Sequence, residues 1–177
     1  MGSNLESVES GKVDLALFSY IREDPDRCVV ELPGLPSHVR AVYYGAAEMF
    51  FWASKENPIF DKDGIKAADL SGQTLVVGHS ENMARAGRLV SCAFEAKGVS
   101  IGVSECPFSS YSEYRISGTG ETFGITHREP MASNRGLRIF RVEDMPAWSD
   151  LFVLVNNQTV TQFGMDFLNL LQSRESD

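Results

Sequence analysis

A short polar turn, His79-Ser80-Glu81-Asn82, stands between an apolar run and a helical pattern. Its side chains that could contact a small anion are those of His79, Ser80 and Asn82. Ser80 is of the type that caps helix N-termini, and Glu81 is an acidic residue in the first turn. The amides of a first helical turn carry the positive end of the helix dipole, which favours a carboxylate or another anion. The pattern therefore predicts an anion-binding turn over Gly78–Asn82. The alternative is that Ser80 is only an N-cap and His79 only a turn residue.

The residues on either side of this turn predict a strand, a helix and a second strand. Thr74–Val77 is a short β-branched and apolar run, typical of a buried strand. Helical spacing then continues to Gly98, which is expected to supply a left-handed C-cap, and Ser100–Val103 is the second strand. Short turns make this a βαβ unit with parallel strands and a right-handed crossover. Ligands of such sheets collect where strand carboxyl ends meet helix N-termini, which is again Gly78–Asn82.

The rest of the chain predicts further strands and helices. The strands are expected at Val13–Tyr20, Val39–Tyr44, Glu48–Ser54, Thr122–His127, Gly136–Val142 and Leu151–Asn156, with Cys28–Leu32 as a possible short one. A short helix is expected at Ser109–Ile116, and Thr159–Ser173 has the pattern of an amphipathic helix. The residues of that last helix predicted to face inward are Val160, Phe163, Phe167, Leu170 and Leu171.

Composition excludes several classes of function. The formal net charge is −8, which argues against direct binding of a nucleic-acid backbone. The three cysteines (Cys28, Cys92 and Cys106) are odd in number and lack ligand spacing, so neither a disulfide framework nor a zinc site is predicted, and a reducing, cytoplasmic location is expected. No run approaches a membrane span, and the polar N-terminus is not a signal peptide.

No catalytic pattern is found, so the chain is not expected to be an enzyme or to need a cofactor. It has only three histidines (His38, His79 and His127). The sequence lacks a Ser-His-Asp order, a nucleophile elbow, an H-E-x-x-H motif and a P-loop.

Four segments, taken in order, resemble the effector-binding domain of LysR-type transcriptional regulators. They are ESGKVDLAL (Glu9–Leu17), FFWASKENPIF (Phe50–Phe60), DLSGQTLVV (Asp69–Val77) and SGTGETFGI (Ser117–Ile125). In the patterns that follow, h stands for an apolar residue. The first segment resembles the family's G-x-h-D-h-A-h motif. The second segment resembles the family's strand that is followed by x-x-x-P-h. The third resembles the D-L-x-x-x-x-h-h-h lead into the second lobe, and the fourth the G-x-G-h-h-h return strand.

The resemblance implies an α/β fold similar to type 2 periplasmic binding proteins. Such a fold has two lobes of mixed, mostly parallel sheets, joined by two crossover strands around a small-molecule cleft. Lobe one would comprise Met1–Leu70 and Glu129–Asp177, and lobe two Ser71–Arg128.

The family's N-terminal winged helix-turn-helix is expected to be absent, together with the first strand and most of the first helix of lobe one. Because that strand is central in the family, three alternatives arise. Either the numbering skips the segment that holds this strand, or another chain supplies the strand, or lobe one is rearranged.

The resemblance also implies which residues face the effector. Ser19 and Tyr20 end the first strand of lobe one, and Ser109 and Ser110 open the helix after the second strand of lobe two. Thr126, His127 and Arg128 end the return strand, and the turn contributes Gly78, His79, Ser80 and Asn82. Tyr20 could instead cover the hinge, and Arg128 could be a solvated surface cation.

The function implied is a ligand-sensing domain that binds a small anionic metabolite, a carboxylate, and so controls transcription. DNA would be bound only through the absent N-terminal domain, and no membrane is involved. Homodimers or homotetramers of the family's antiparallel kind would use the helix surface near Arg85, Arg88 and Cys92. The alternatives are a solute-binding protein of a transport system, an enzyme on the same fold, and a truncated interaction module without a ligand.

Overall fold

The computed structural model describes residues 2–29, 31–107, 120–126 and 136–173 of the 177-residue chain. The helices are α1 (Gly2–Glu9), α2 (Glu81–Glu95) and α3 (Gln162–Ser173), with a 3-10 turn at Ala67–Leu70. The strands are β1 (Leu15–Ile21), β2 (Val39–Glu48), β3 (Phe50–Ser54), β4 (Thr74–Gly78), β5 (Gly102–Cys106), β6 (Thr122–Thr126), β7 (Leu137–Phe140) and β8 (Trp148–Asn156). They form two compact units, Met1–Ala47 with Ser149–Asp177, and Glu48–Trp148.

The division into units differs from the lobe boundaries that the resemblance implied. The strand β3, which the sequence placed in lobe one, is hydrogen-bonded to β6 on one side and β7 on the other. Because these ladders satisfy the backbone of β3 on both edges, β3 and β7 belong to the second unit. The chain therefore changes units at residues 47–48 and 148–149, and not at 70–71 and 128–129.

The first unit has a three-stranded sheet in the order β1-β8-β2. The central strand β8 runs antiparallel to β1, from Leu15 opposite Val155 to Ile21 opposite Ser149. Its side chains alternate between two cores, with Phe152 in the cluster that includes α1 and Val155 in the cluster that includes α3. Within the described residues β8 is thus paired on both edges, by β1 and by β2. No strand is formed by the described part of the segment Cys28–Leu32.

The prediction for the inward face of the C-terminal helix is wrong for three of its five residues. Phe163, Phe167 and Leu170 are exposed, whereas Leu168 is buried in the core beneath α3. The other two residues of the predicted face do pack against that core: Val160 and Leu171.

The rotation of α3 is set by a contact that lies far away in sequence. Both carboxylate oxygens of Asp14 bind Thr161, one accepting its N–H at 3.0 Å and the other its hydroxyl at 2.6 Å. Gly164 packs against this contact, and a Cβ added there would lie 3.1 Å from the Cβ of Asp14. Gly164 therefore faces the sheet, and Leu168 and Leu171 follow it on the same face, one and two turns later.

The second unit has a five-stranded sheet in the order β5-β4-β6-β3-β7. β4 is parallel to β5 and β6, whereas β3 is antiparallel to β6 and β7. The sheet is therefore a mixed one, as the resemblance implied, with both pairings of β4 parallel and both pairings of β3 antiparallel. Parallel pairing needs a crossover connection, which the βαβ unit supplies for β4 and β5.

The predicted βαβ unit is confirmed, with β5 beginning two residues later than expected. The predicted glycine cap is also confirmed, because Gly98 has a φ of +73°. Its N–H donates to the Glu95 carbonyl at 2.8 Å, and the N–H of Val99 donates to the Phe94 carbonyl at 3.0 Å. These two bonds and the burial of both Phe94 and Val99 are those of a Schellman motif.

Aromatic side chains fill the core of the second unit. Phe51 lies 5.9–6.3 Å, between ring centroids, from Phe94, Phe123 and Phe140. Trp52 projects from the opposite face of β3 and lies directly across from Gly124 of β6. The indole is fully buried and occupies the space that a side chain at position 124 would need.

Within the described ranges, no helix has both the length and the apolar character that crossing a bilayer requires.

A buried ion pair anchors the loop after β1. Arg22 donates from Nε and Nη2 to the two carboxylate oxygens of Asp150, at 3.0 and 2.7 Å. The Val29 amide and the Cys28 thiol also donate to this carboxylate, at 2.7 and 3.3 Å. Burial alone would raise the pKa of Asp150, but these hydrogen bonds outweigh it and hold the pKa below its usual value. The hydrogen bond with Cys28, and then burial, raises the pKa of Tyr43 to about 12.

Replacement of Gly124 by alanine is expected to destabilise the protein by about 1–3 kcal/mol, because the added methyl group overlaps the Trp52 ring. Urea unfolding measures this change. Gly136→Ala is the matched control, since no atom of the described residues lies within 4 Å of the methyl group added there. Equal unfolding midpoints for the two variants would contradict this packing.

Replacement of Arg22 by methionine is expected to cost about 3–5 kcal/mol at neutral pH, because it leaves the Asp150 carboxylate buried without its cation. A depressed carboxyl pKa contributes stability above the unfolded value and loses it as the pH falls through the folded pKa. The difference between Arg22→Met and wild type should therefore shrink below about pH 4.

The control for this variant is Arg141→Met, which removes a more exposed pair with Glu48 and should cost less than about 1 kcal/mol. Urea unfolding between pH 3 and 7 distinguishes the two. A pH-independent cost of Arg22→Met would show that the charge of Asp150 is not what Arg22 stabilises.

Candidate functional site: the turn between β4 and α2

Ser80 is the N-cap of α2, as predicted. Its hydroxyl accepts the N–H of Met83 at 3.3 Å, and its carbonyl accepts the N–H of Ala84 at 2.8 Å. The backbone of Ser80 is extended, with φ −65° and ψ 147°, so the chain turns into the helix at this residue. The hydroxyl is thus engaged in capping, and it fixes the geometry of the first helical turn.

The carboxyl ends of three parallel strands meet at this turn. β4 ends at Gly78, which lies opposite Cys106, the last residue of β5. β6 is parallel to β4 on its other side and ends at Thr126. Five of the predicted residues therefore share one edge of the sheet: Gly78, His79, Ser80, Asn82 and Thr126. His79 and Ser80 are exposed, Gly78 and Asn82 are half-buried, and Thr126 is buried.

Four other predicted residues lie outside the described part of the chain: Ser109, Ser110, His127 and Arg128. His127 directly follows Thr126 in the sequence, and Ser109 follows Cys106 by three residues. Their predicted roles remain predictions.

Ser19 and Tyr20 lie in β1 of the first unit, where they pair with Leu151 and Asp150 of β8. Both are half-buried, and the Tyr20 side chain packs against the core cluster that contains Phe18 and Val8. Their predicted contact with an effector likewise remains a prediction, and the packing gives Tyr20 a structural role in its own unit.

A cavity of about 500 Å³ beside β7 was not foreseen from the sequence. Its lining carries two arginines and two glutamates: Arg138, Arg141, Glu48 and Glu143. Arg141 pairs with Glu48 at 2.7 Å, and Arg138 donates to the Phe60 carbonyl at 2.6 Å. Both arginines already have partners, so the turn after β4 is the better candidate for an anion. In the described residues no group of three His, Cys, Asp or Glu side chains could hold a metal ion.

No protein-family model matches the chain, and no curated protein matches its sequence. Its fold, however, is similar to several solved structures. The regulatory domain of CcmR from Synechocystis PCC6803, solved in complex with 2-PG, matches 95% of this chain and 76% of that one, with a TM-score of 0.62 and 14% identity.

Two further structures give the same result. The C-terminal domain of a probable LysR family regulator from Rhodococcus sp. RHA1 has a TM-score of 0.64 at 16% identity, over 94% of this chain and 78% of that one. HinK, a LysR family regulator from Pseudomonas aeruginosa, has a TM-score of 0.65 at 13% identity, over 96% of this chain and 56% of that one. The chain thus spans about three quarters of the regulatory-domain chains and little more than half of HinK. It has the fold of the regulatory domains of LysR-family transcriptional regulators.

Proposed function

We propose that the chain is the ligand-sensing regulatory domain of a transcriptional regulator and binds a small anionic metabolite at the β4–α2 turn. The observation that carries this proposal is the exposed turn itself. The N-terminus of a 15-residue helix stands there at the carboxyl edge of three parallel strands. The 2-PG complex of CcmR, which has the same fold, supports a ligand-binding role.

The physical basis of binding is the first turn of α2. The helix dipole and the outward-pointing amides favour a carboxylate or phosphate there. The side chains of His79 and Asn82 stand in this turn and can add hydrogen-bond donors. The cap between Ser80 and Met83 keeps the turn in place before a ligand arrives, which lowers the cost of ordering it.

The ligand would act by favouring one conformation of the domain over another. In the proposed regulator this preference is transmitted to a separate DNA-binding domain, since the charge of −8 makes this chain a poor partner for DNA. Such a protein works in the cytoplasm as a dimer or tetramer, and it binds its effector without converting it.

Replacement of Asn82 by aspartate tests the site without removing the helix cap. A carboxylate in the first turn suits the helix dipole, so the fold should be kept. It repels a bound anion a few ångströms away by roughly 1–3 kcal/mol, which weakens binding by roughly 5- to 150-fold. Thermal-shift titration with 2-PG and a panel of aliphatic and aromatic acids finds the ligand, and calorimetry then gives its affinity for each variant.

Asn169→Asp on the exposed face of α3 is the matched control, because it makes the same chemical change away from the turn. The control should bind as the wild type does. If Asn82→Asp binds the acid with the same affinity as the wild type, the anion binds elsewhere. If the protein converts a bound acid into a product, it is an enzyme and not a sensor.

A further inference from the structure

In the part of the chain that the structure describes, β7 is the last strand of the second unit's sheet and pairs with β3 alone. The Lys55 N–H donates to the Gly136 carbonyl at 2.9 Å, so the main-chain groups of Gly136 face β3. Because these groups alternate in direction along a strand, those of Leu137, Ile139 and Arg141 face away from β3. Each of the three offers one donor and one acceptor, for which the described residues supply no main-chain partner.

The open edge faces the cavity of about 500 Å³ beside β7. This volume is within the range of about 300–1,000 Å³ that small-molecule sites have. The lining includes six consecutive residues, Arg138–Glu143, so the cavity follows the edge of the sheet and not one of its faces. The chain itself closes the edge at its far end, where the N–H of Glu143 donates to the Ile65 carbonyl at 2.9 Å. The space before that point can therefore take an extended chain that pairs with β7.

Opposite charges stand at the two ends of this edge. Near its start, Arg138 donates to the Phe60 carbonyl at 2.6 Å, and the carboxylate that it faces, that of the fully exposed Asp63, is 4.0 Å away. An exposed ion pair of this length contributes little, so most of the charge of Arg138 is left for a ligand. Beyond the end of β7 lies Glu143, which is exposed and whose carboxylate forms no ion pair with any described residue.

These two charges suit a ligand that carries both signs. A ligand with only a negative charge would gain Arg138 but would be repelled by Glu143, and Arg141 between them is already paired with Glu48 at 2.7 Å. A free peptide has an ammonium at one end and a carboxylate at the other. If it runs antiparallel to β7, each terminus meets its opposite charge, whereas the parallel direction would bring like charges together.

We propose that the open edge of β7 binds a free peptide of about four residues as an added antiparallel strand, with its ammonium at Glu143 and its carboxylate at Arg138. The edge from Leu137 to Arg141 is about 13 Å long at the usual rise per residue, which is the length of such a peptide. Main-chain hydrogen bonds supply the affinity in this mode of binding, and alternate side chains contact the lining of the cavity. With so few hydrogen bonds, the Kd is expected to be on the order of 1 mM.

The peptide site is separate from the proposed anion site. β7 is three strands away from β4, which is about 14 Å at the usual strand spacing, and the β4–α2 turn contributes no residue to the lining of the cavity. The alternative is that the charges along β7 only keep this edge from pairing with other chains, as charges on edge strands often do. That alternative predicts no binding of a free peptide, so a titration decides between the two.

An NMR titration of the chain with the peptide Val-Thr-Val-Thr, whose residues favour strands, tests the proposal. With free termini, the peptide should shift the amides of Leu137, Ile139 and Arg141 and leave those of Gly78–Met83 unchanged. Acetylation of its amino terminus should weaken binding roughly two- to fivefold, and so should Glu143→Gln. The two changes together should weaken binding no further, because they remove the same ion pair.

A second variant, Ile139→Pro, removes an outward N–H and should weaken binding at least about fivefold. An edge strand accepts proline where its N–H faces away from the sheet. Glu143→Gln leaves the backbone as it is, so it tests the site even where the proline variant fails to fold.

Glu105→Gln is the matched control, since Glu105 is exposed on β5, the strand at the other end of the same sheet. It should leave peptide binding unchanged. Amides of β7 that do not shift at about ten times the expected Kd would overturn the proposal. Binding that neither acetylation nor Glu143→Gln weakens would also overturn it, because the ammonium would then lie elsewhere. Binding that Glu105→Gln weakens while Glu143→Gln does not would assign the peptide to the edge of β5 instead.

Discussion

Main-chain hydrogen bonding constrains this structure more than any other interaction. A buried amide or carbonyl without a partner costs about 1–3 kcal/mol, so a strand inside a core must be paired on both edges. β8 meets this requirement between β1 and β2 in the first unit, and β3 meets it between β6 and β7 in the second. Both strands are also buried on two faces, so the strands that complete the hydrogen bonding also hold the core side chains.

The position of the proposed anion site follows from the direction of three strands. β4, β5 and β6 are parallel, so their carboxyl ends share one edge, and the chain enters α2 from that edge. The helix is held close to the sheet by Gly87, where an added Cβ would lie 3.1 Å from the side chain of Val103 and 3.2 Å from that of Val77. The Ser80 cap and the Schellman motif fix its two ends. The open turn is therefore presented by a rigid element, which is how binding groups are best held in place.

Local features of the chain could be predicted from the sequence. The βαβ unit, the Ser80 cap and the Gly98 turn depend on contacts within a few residues, and both caps are confirmed. The turn over Gly78–Asn82 was proposed as an anion site by the same local reasoning, and His79 and Ser80 in this turn are exposed.

Features that depend on distant residues were missed. The placement of β8 in the centre of a sheet and the pair between Arg22 and Asp150, which are 128 residues apart, have no local signal. The face of α3 was assigned wrongly for a related reason. A wide apolar arc shows that a helix packs against something, but the contact with Asp14 decides which part of the arc is buried.

The most direct test of the account is to follow the backbone amides of the chain by NMR while a ligand acid is added. The account predicts that the largest changes occur at the amides from Gly78 to Met83, since these amides lie at or next to the N-terminus of α2. Changes concentrated beside β7, around Arg138 and Glu143, with none at the start of α2, would contradict it.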